Sequence, residues 1–289
     1  MTLAEGTGVA DAARAVLDAA DPAAKVKAAR AAARALRAGR LAARFDTPMP
    51  DRPARPDSPE LLPPGRMPKR GRGGSLRGRI ALLHAIAHIE WVAIDLAFDM
   101  AGRFGGRFPP AFAADWFRVG AEEAMHFALL QRRLRAFGSH YGALPAHDGL
   151  WEAAAATTGD PVARLAVVPM VLEARGLDVT PTMIAQCEAA GDSATARVLT
   201  RILNDEIGHV GIGTAWFQYA CESSGLDPVD QWKKQVERHV PGAVKPPFND
   251  SARGAAGLTR DYYAAIAMPG GARHTVNTEC GGLDPHSLE

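Results

Sequence analysis

Two short stretches pair a carboxylate with an imidazole at helical spacing: Glu123-Ala-Met-His126 and Glu206-Ile-Gly-His209. Residues three apart lie side by side on a helix, so each pair can offer an oxygen and a nitrogen to one point in space. Alone, a Glu-x-x-His says little, since chance supplies one in roughly a third of chains this long. Two further glutamates, Glu90 and Glu173, each sit on an otherwise apolar stripe. At about 100° per residue Glu90 shares its face with Leu83, Ile86, Ala87, Ile94 and Ala97, and Glu123 with Trp116, Val119, Gly120, Phe127 and Leu130. Glu173 lines up with Pro169, Met170 and Leu177, and Glu206 with Leu199, Ile202, Leu203, Val210 and Gly213. Four glutamates therefore stand where leucine is expected. A lone buried carboxylate neutralises itself by taking up a proton, and four together call for cations. Two divalent ions bring four positive charges, with both histidines binding neutral.

Carboxylates with one imidazole per ion suit iron or manganese better than a thiolate-preferring metal, and zinc remains compatible with the donor types. Two ions about 3.5–4 Å apart can clamp a species between them, which for iron could be dioxygen. One Glu from each of two helices plus Glu-x-x-His from two others is the ligand set of a ferritin-like dimetal carboxylate bundle. Against this stands the ordinary explanation of each residue taken singly: a glutamate at the edge of a stripe, or a hydrogen-bonded core histidine. The agreement of all six in type and helix order outweighs it. Glu122 points about 100° away from Glu123 and is read as a surface or supporting group.

The elements that must carry these residues can be traced in order. Residues 8–43 are rich in Ala, Arg and Leu, with a break at Asp21-Pro22, where Asp caps the next helix and Pro suits its first turn. This predicts a helical hairpin packed on the main body. Eight prolines between Pro48 and Pro68 favour extended backbone, followed by Arg66, Lys69, Arg70, Arg72, Arg77 and Arg79. The plain reading is a solvated linker draped over the body; a phosphate-contacting arm is the sharper one, held down by the lack of aromatics for base stacking. Beyond it the pattern predicts helices over about 77–102, 110–138, 149–157, 160–175, 181–190, 192–223 and 228–239. Gly176 and Pro181 should interrupt the fourth of these. The tail from Pro241 should be irregular, with one helical turn around 259–266. No stretch alternates with period two, so no sheet is expected. The organisation expected is a hairpin (1–45), a Pro/Arg-rich linker (46–79), an all-α four-helix bundle (80–240) and a tail (241–289).

His84, His88, Trp91 and Asp95 form a second stripe on the first long helix, roughly opposite Glu90. The spacing of His84 and His88 would permit a separate metal site, but packing and anchoring of the hairpin or linker is the favoured reading. Tyr219 lies some 15 Å along its helix from His209, so it is not an obvious radical tyrosine.

Composition bounds the rest. The chain has 289 residues, 47% of them apolar, enough for a sizeable core. The net charge of +1 hides a split: residues 1–79 hold 16 Lys/Arg against 8 Asp/Glu, leaving 17 against 24 for residues 80–289. Three cysteines without Cys-x-x-Cys spacing indicate neither a disulfide framework nor a zinc ribbon. No uninterrupted apolar run of about 18 residues and no signal-like N-terminus is present, so a cytoplasmic protein without a membrane span is expected.

The stretches His84-Ala-Ile-Ala-His-Ile-Glu90-Trp-Val-Ala-Ile-Asp95, Glu122-Glu-Ala-Met-His126-Phe, Val171-Leu-Glu173-Ala-Arg-Gly-Leu-Asp-Val-Thr-Pro181 and Asp205-Glu-Ile-Gly-His209-Val resemble an uncharacterised bacterial family of ferritin-like proteins. The resemblance covers about residues 8–240. The wider superfamily includes ferritins, di-iron oxygenases and a tRNA hydroxylase. It implies a ferritin-like bundle in which Glu90, Glu123, His126, Glu173, Glu206 and His209 hold two metal ions, most simply iron, with dioxygen as co-substrate. The leading expectation is an oxidoreductase or hydroxylase acting on a small organic molecule or a modified nucleoside and served by an electron-donor protein. RNA is a weaker candidate partner, raised by the basic N-terminal region. Ferroxidase-type iron handling and a purely metal-stabilised protein are the alternatives.

Overall fold

The computed structural model describes residues 4–68 and 75–267. Lys69, Arg70 and Arg72 of the basic run, Cys280 and the end of the tail lie outside them. Among the described residues every regular element is helical, and the extended backbone forms only two isolated bridges, Gly8 with Ala42 and Leu61 with Ala146. The chain divides into two compact units, one of Met1–Leu62 with Ser75–His147 and one of Pro63–Gly74 with Asp148–Glu289.

The first unit begins with the expected hairpin, α1 (Val9–Leu17) and α2 (Pro22–Arg37). Asp21 caps α2 by accepting from Ala24 N, with Pro22 in the first turn. Two long helices follow, α3 (Leu76–Phe104) and α4 (Pro110–Ala136), joined by a single 3-10 turn at Gly105–Arg107. Ser75 Oγ starts α3 by accepting from Gly78 N, and Pro110 opens α4. Gly138 closes α4 at φ +73°, a conformation only glycine adopts without strain. The two helices approach closely at Gly120, where a Cβ would lie 2.5 Å from the Phe98 ring.

The Pro-rich segment is more firmly tied down than a solvated linker. Met49 is buried against Gly102, Arg14 donates to Pro48 O, and Arg103 donates to Pro50 O. Arg55 reaches Asp95 in the middle of α3. The second stripe of α3 explains this. Asp95 is fully buried and paired with both Lys25 of α2 and Arg55, while Lys25 also lies over the Trp91 ring. His84 Nε2 accepts from Gly142 N, and His88 contacts Tyr141 Oη and the His147 carbonyl. The stripe therefore anchors hairpin, linker and the loop after α4, and its imidazoles bond to protein groups.

The second unit contains α5 (Gly149–Ala155), α6 (Pro161–Val167), a wider π turn (Val168–Glu173), α7 (Ala174–Ala189), α8 (Ser193–Glu222), α9 (Pro228–His239), α10 (Asp250–Ala255) and α11 (Arg260–Tyr263). Gly176 and Pro181 do not break the helix as the sequence leads one to expect. α7 runs through both, and the irregularity falls earlier, at the π turn. An interior proline costs roughly 3 kcal/mol locally, but Leu177, Val179, Thr180 and Met183 are all buried on this helix, and their packing outweighs the penalty. Residues 241–267 are also more ordered than an irregular tail. The helical turn expected near 259–266 is α11, whereas α10, started by Asn249 accepting from Ala252 N, was not anticipated. Arg253 of α10 makes a two-pronged bond to the buried Asp178 of α7, and Asn249 donates to Leu177 O.

The stretch Leu76–Arg107 is long and apolar enough to cross a membrane by composition, but 72% of its most apolar window is buried within the protein, as in a core helix.

Candidate metal centre

The stripes read from the sequence are the buried faces of their helices. In the first unit Leu83, Ile86, Ala87, Ile94 and Ala97 surround Glu90 on α3, and Trp116, Val119, Phe127 and Leu130 surround Glu123 on α4; all are buried. The close approach at Gly120, one turn before Glu123, brings these faces together. Glu90, Glu123 and His126 meet there at 4%, 1% and 0% exposure. His126 Nδ1 lies 3.1 Å from Glu90 Oε2 and 3.2 Å from Glu123 Oε2. Donor atoms of all three fall within 4.8 Å of one another.

The electrostatics are compatible with a bound cation. Burial raises the Glu90 pKa well above the carboxylate norm, and the charge of Glu123 raises it further. Burial alone would pull His126 down, but its hydrogen bonds to Glu123 and Glu90 outweigh that and push it up to about 11. Two carboxylates in an apolar wall thus demand positive charge, which either a proton on the imidazole or a metal ion can answer.

The second unit repeats the local motif. On α8, His209 is fully buried and its Nδ1 lies 3.4 Å from Glu206 Oε1, so in both units the nitrogen facing the glutamate is the same. Leu199, Ile202 and Val210 are buried around the pair. Glu173, half-buried, ends the π turn, which packs on α8 where Pro169 meets Gly213; a Cβ on Gly213 would lie 2.3 Å from Pro169 Cβ. That glycine stands one turn after His209, the counterpart of Gly120 one turn before Glu123. π turns occur often at functional sites, because the extra residue re-aims a side chain. The sequence signalled Glu173 by its stripe but gave no sign of the π turn.

Glu122 sits at a half-buried position within 3.9 Å of Arg118, a supporting surface group as expected. The donor set fits divalent ions that accept oxygen and nitrogen: two carboxylates and an imidazole in the first unit, a carboxylate and an imidazole on α8 with Glu173 on the neighbouring segment. Among the described residues no cysteine takes part; Cys187 and Cys221 are buried elsewhere on α7 and α8.

Residues 18–264 match the protein family described as "Protein of unknown function (DUF455)". An uncharacterised protein of Haemophilus influenzae is 42% identical over 211 residues, covering 71% of this chain and 73% of that one. No solved structure matches.

Proposed function

We propose the following reading of this chain, which belongs to the DUF455 family: it is a ferritin-like dimetal carboxylate protein that uses two iron ions and dioxygen to oxidise a small organic substrate or modified nucleoside. The observation that carries it is the buried convergence of Glu90, Glu123 and His126 inside an apolar wall. In this reading Glu206, Glu173 and His209 supply the remaining donors.

Bound iron would supply the electrons that dioxygen requires. The chain's own part is structural and electrostatic. Glu90 and Glu123 fix negative charge where cations must sit, and the Phe127, Leu130 and Ile94 walls keep water out. Gly120 and Gly213 let the glutamate-bearing segment and the Glu-x-x-His helix of each unit approach closely. An electron-donor protein would restore the reduced state.

The test is aerobic titration with ferrous ion, read by elemental analysis and by absorbance in the near ultraviolet. Saturation at about two irons per chain supports the reading. Uptake of many irons per chain would instead identify an iron store, and a tightly held zinc would make the site structural or hydrolytic.

A further inference from the structure

α2 carries a stripe of positive charge that the fold does not use. Lys27, Arg30, Arg34 and Arg37 are spaced three, four and three residues apart and all are exposed. This spacing keeps them on one side of the helix over about 15 Å. None has an ion pair or side-chain hydrogen bond among the described residues. α2 itself, PAAKVKAARAAARALR, contains no acid; the nearest, Asp21, is committed to the helix cap.

Three arginines on other helices are paired with an acid of their own helix or its cap. Arg14 meets Asp18, Arg103 meets Asp99, and Arg201 meets Asp205, each one helical turn away. Four like charges left together repel one another by a few tenths of a kcal/mol per neighbouring pair. The fifth cationic side chain of the helix, Lys25, is turned inward to Asp95, so α2 separates one structural cation from four solvent-facing ones.

We propose that this face is a docking ridge for the phosphate backbone of double-helical RNA. The stripe matches a repeating polyanion rather than a single anion, and three of its four members are arginine, whose planar fork suits phosphate oxygens. The opposite face of α2, with Ala28, Ala29, Ala32 and Ala35, is buried. The helix therefore cannot enter the readable major groove of B-DNA as recognition helices do. Backbone contact without base reading is how A-form RNA is held. The positions between the cations are buried or half-buried alanines together with a half-buried Leu36, and none is aromatic, so nothing there stacks on unpaired bases. The inference does not depend on the metal-site reading.

The experiment uses the full chain and a fluorescein-labelled RNA duplex, with binding followed by anisotropy across salt. Four phosphate contacts imply a slope of log K on log salt near −3.6, or about 100-fold weaker binding between about 50 and 200 mM salt. The variant Lys27→Gln, Arg30→Gln, Arg34→Gln, Arg37→Gln keeps good helix formers at exposed sites, and its fold is checked by circular dichroism. It should lose most of that slope and bind at least 100-fold more weakly at low salt. A control removing four other exposed cations (Arg197→Gln, Lys234→Gln, Arg238→Gln, Lys245→Gln) has the same net charge and should retain binding. Equal loss in both variants, or in neither, overturns the proposal. So does equal binding to a DNA duplex of the same sequence or to vesicles rich in anionic lipid. A change of oligomeric state in the stripe variant with RNA binding intact would assign the ridge to a second copy of the chain instead.

Discussion

Substituting Asp95 with Ala should be among the most damaging single changes in the first unit, although the residue binds no proposed ligand. Asp95 and Lys25 are both fully buried, and Arg55, 13% exposed, shares the carboxylate. Burial already pulls the Lys25 pKa below its usual value while the carboxylate holds it up. Removing the carboxylate leaves a buried ammonium over Trp91 without its ion-pair partner. Breaking a buried pair from one side costs about 3–5 kcal/mol, a large fraction of the 5–15 kcal/mol typical of a domain. Lys25→Met should cost less, because Asp95 keeps Arg55 and the methionine fills similar volume against Trp91. The assay is urea unfolding of both variants, followed by tryptophan fluorescence; Trp91 and Trp116 report on the first unit and Trp151, Trp216 and Trp232 on the second. The expected order is Asp95→Ala far below Lys25→Met. An Asp95→Ala loss under about 1 kcal/mol would refute the argument, since it would mean that water reaches the cluster and screens it.

Further outcomes follow from individual contacts. Gly213→Ala should destabilise the second unit by about 1–3 kcal/mol, because its methyl must displace Pro169 across a 2.3 Å gap in a packed helix crossing; differential scanning calorimetry reads it, and an unchanged transition would count against the crossing. Arg253→Ala leaves Asp178 buried without its two-pronged partner, so limited proteolysis should cut within 241–267 while leaving α8 protected. His84 is held neutral: burial, then the neighbouring His140, lowers its pKa from 6.5 to about 4. Its unfolded form binds more protons between those values, so the contribution is fully present above pH 6.5 and is lost as pH falls toward 4, at up to about 1.4 kcal/mol per pH unit. His84→Asn keeps an acceptor for Gly142 N and should flatten that part of the stability–pH profile.

The helices were legible because their punctuation is local. Asp21-Pro22, Asp160-Pro161 and Asp227-Pro228 each place a cap before a first-turn proline, and each starts a helix. The stripes around Glu90, Glu123 and Glu206 were legible because helical period and burial agree there. Pro181 misled because the penalty it carries is local while the burial of Leu177 and Met183 that overrides it is tertiary. The π turn was hidden for the same reason: Pro169 meets Gly213, 44 positions later, and no window of sequence contains both. α10 was missed because six residues are too few to show a period, and its anchor, Asp178, belongs to another helix.

The two units also frame a question that metal stoichiometry can decide. Each contributes one helical segment with a single glutamate and one helix with Glu-x-x-His, and each sets a glycine beside that motif. If each unit binds an ion by itself, Glu123→Ala removes one ion and leaves the other. A shared centre behaves otherwise. In such a centre each ion would neutralise charge that the other also needs, and losing one carboxylate donor would unbalance the rest of the set in its apolar wall. The dimetal reading therefore predicts that Glu123→Ala and Glu206→Ala each fall well below one ion per chain, although they lie in different units. A clean drop from two to one in both variants would show two independent sites and would remove the basis for concerted chemistry on dioxygen.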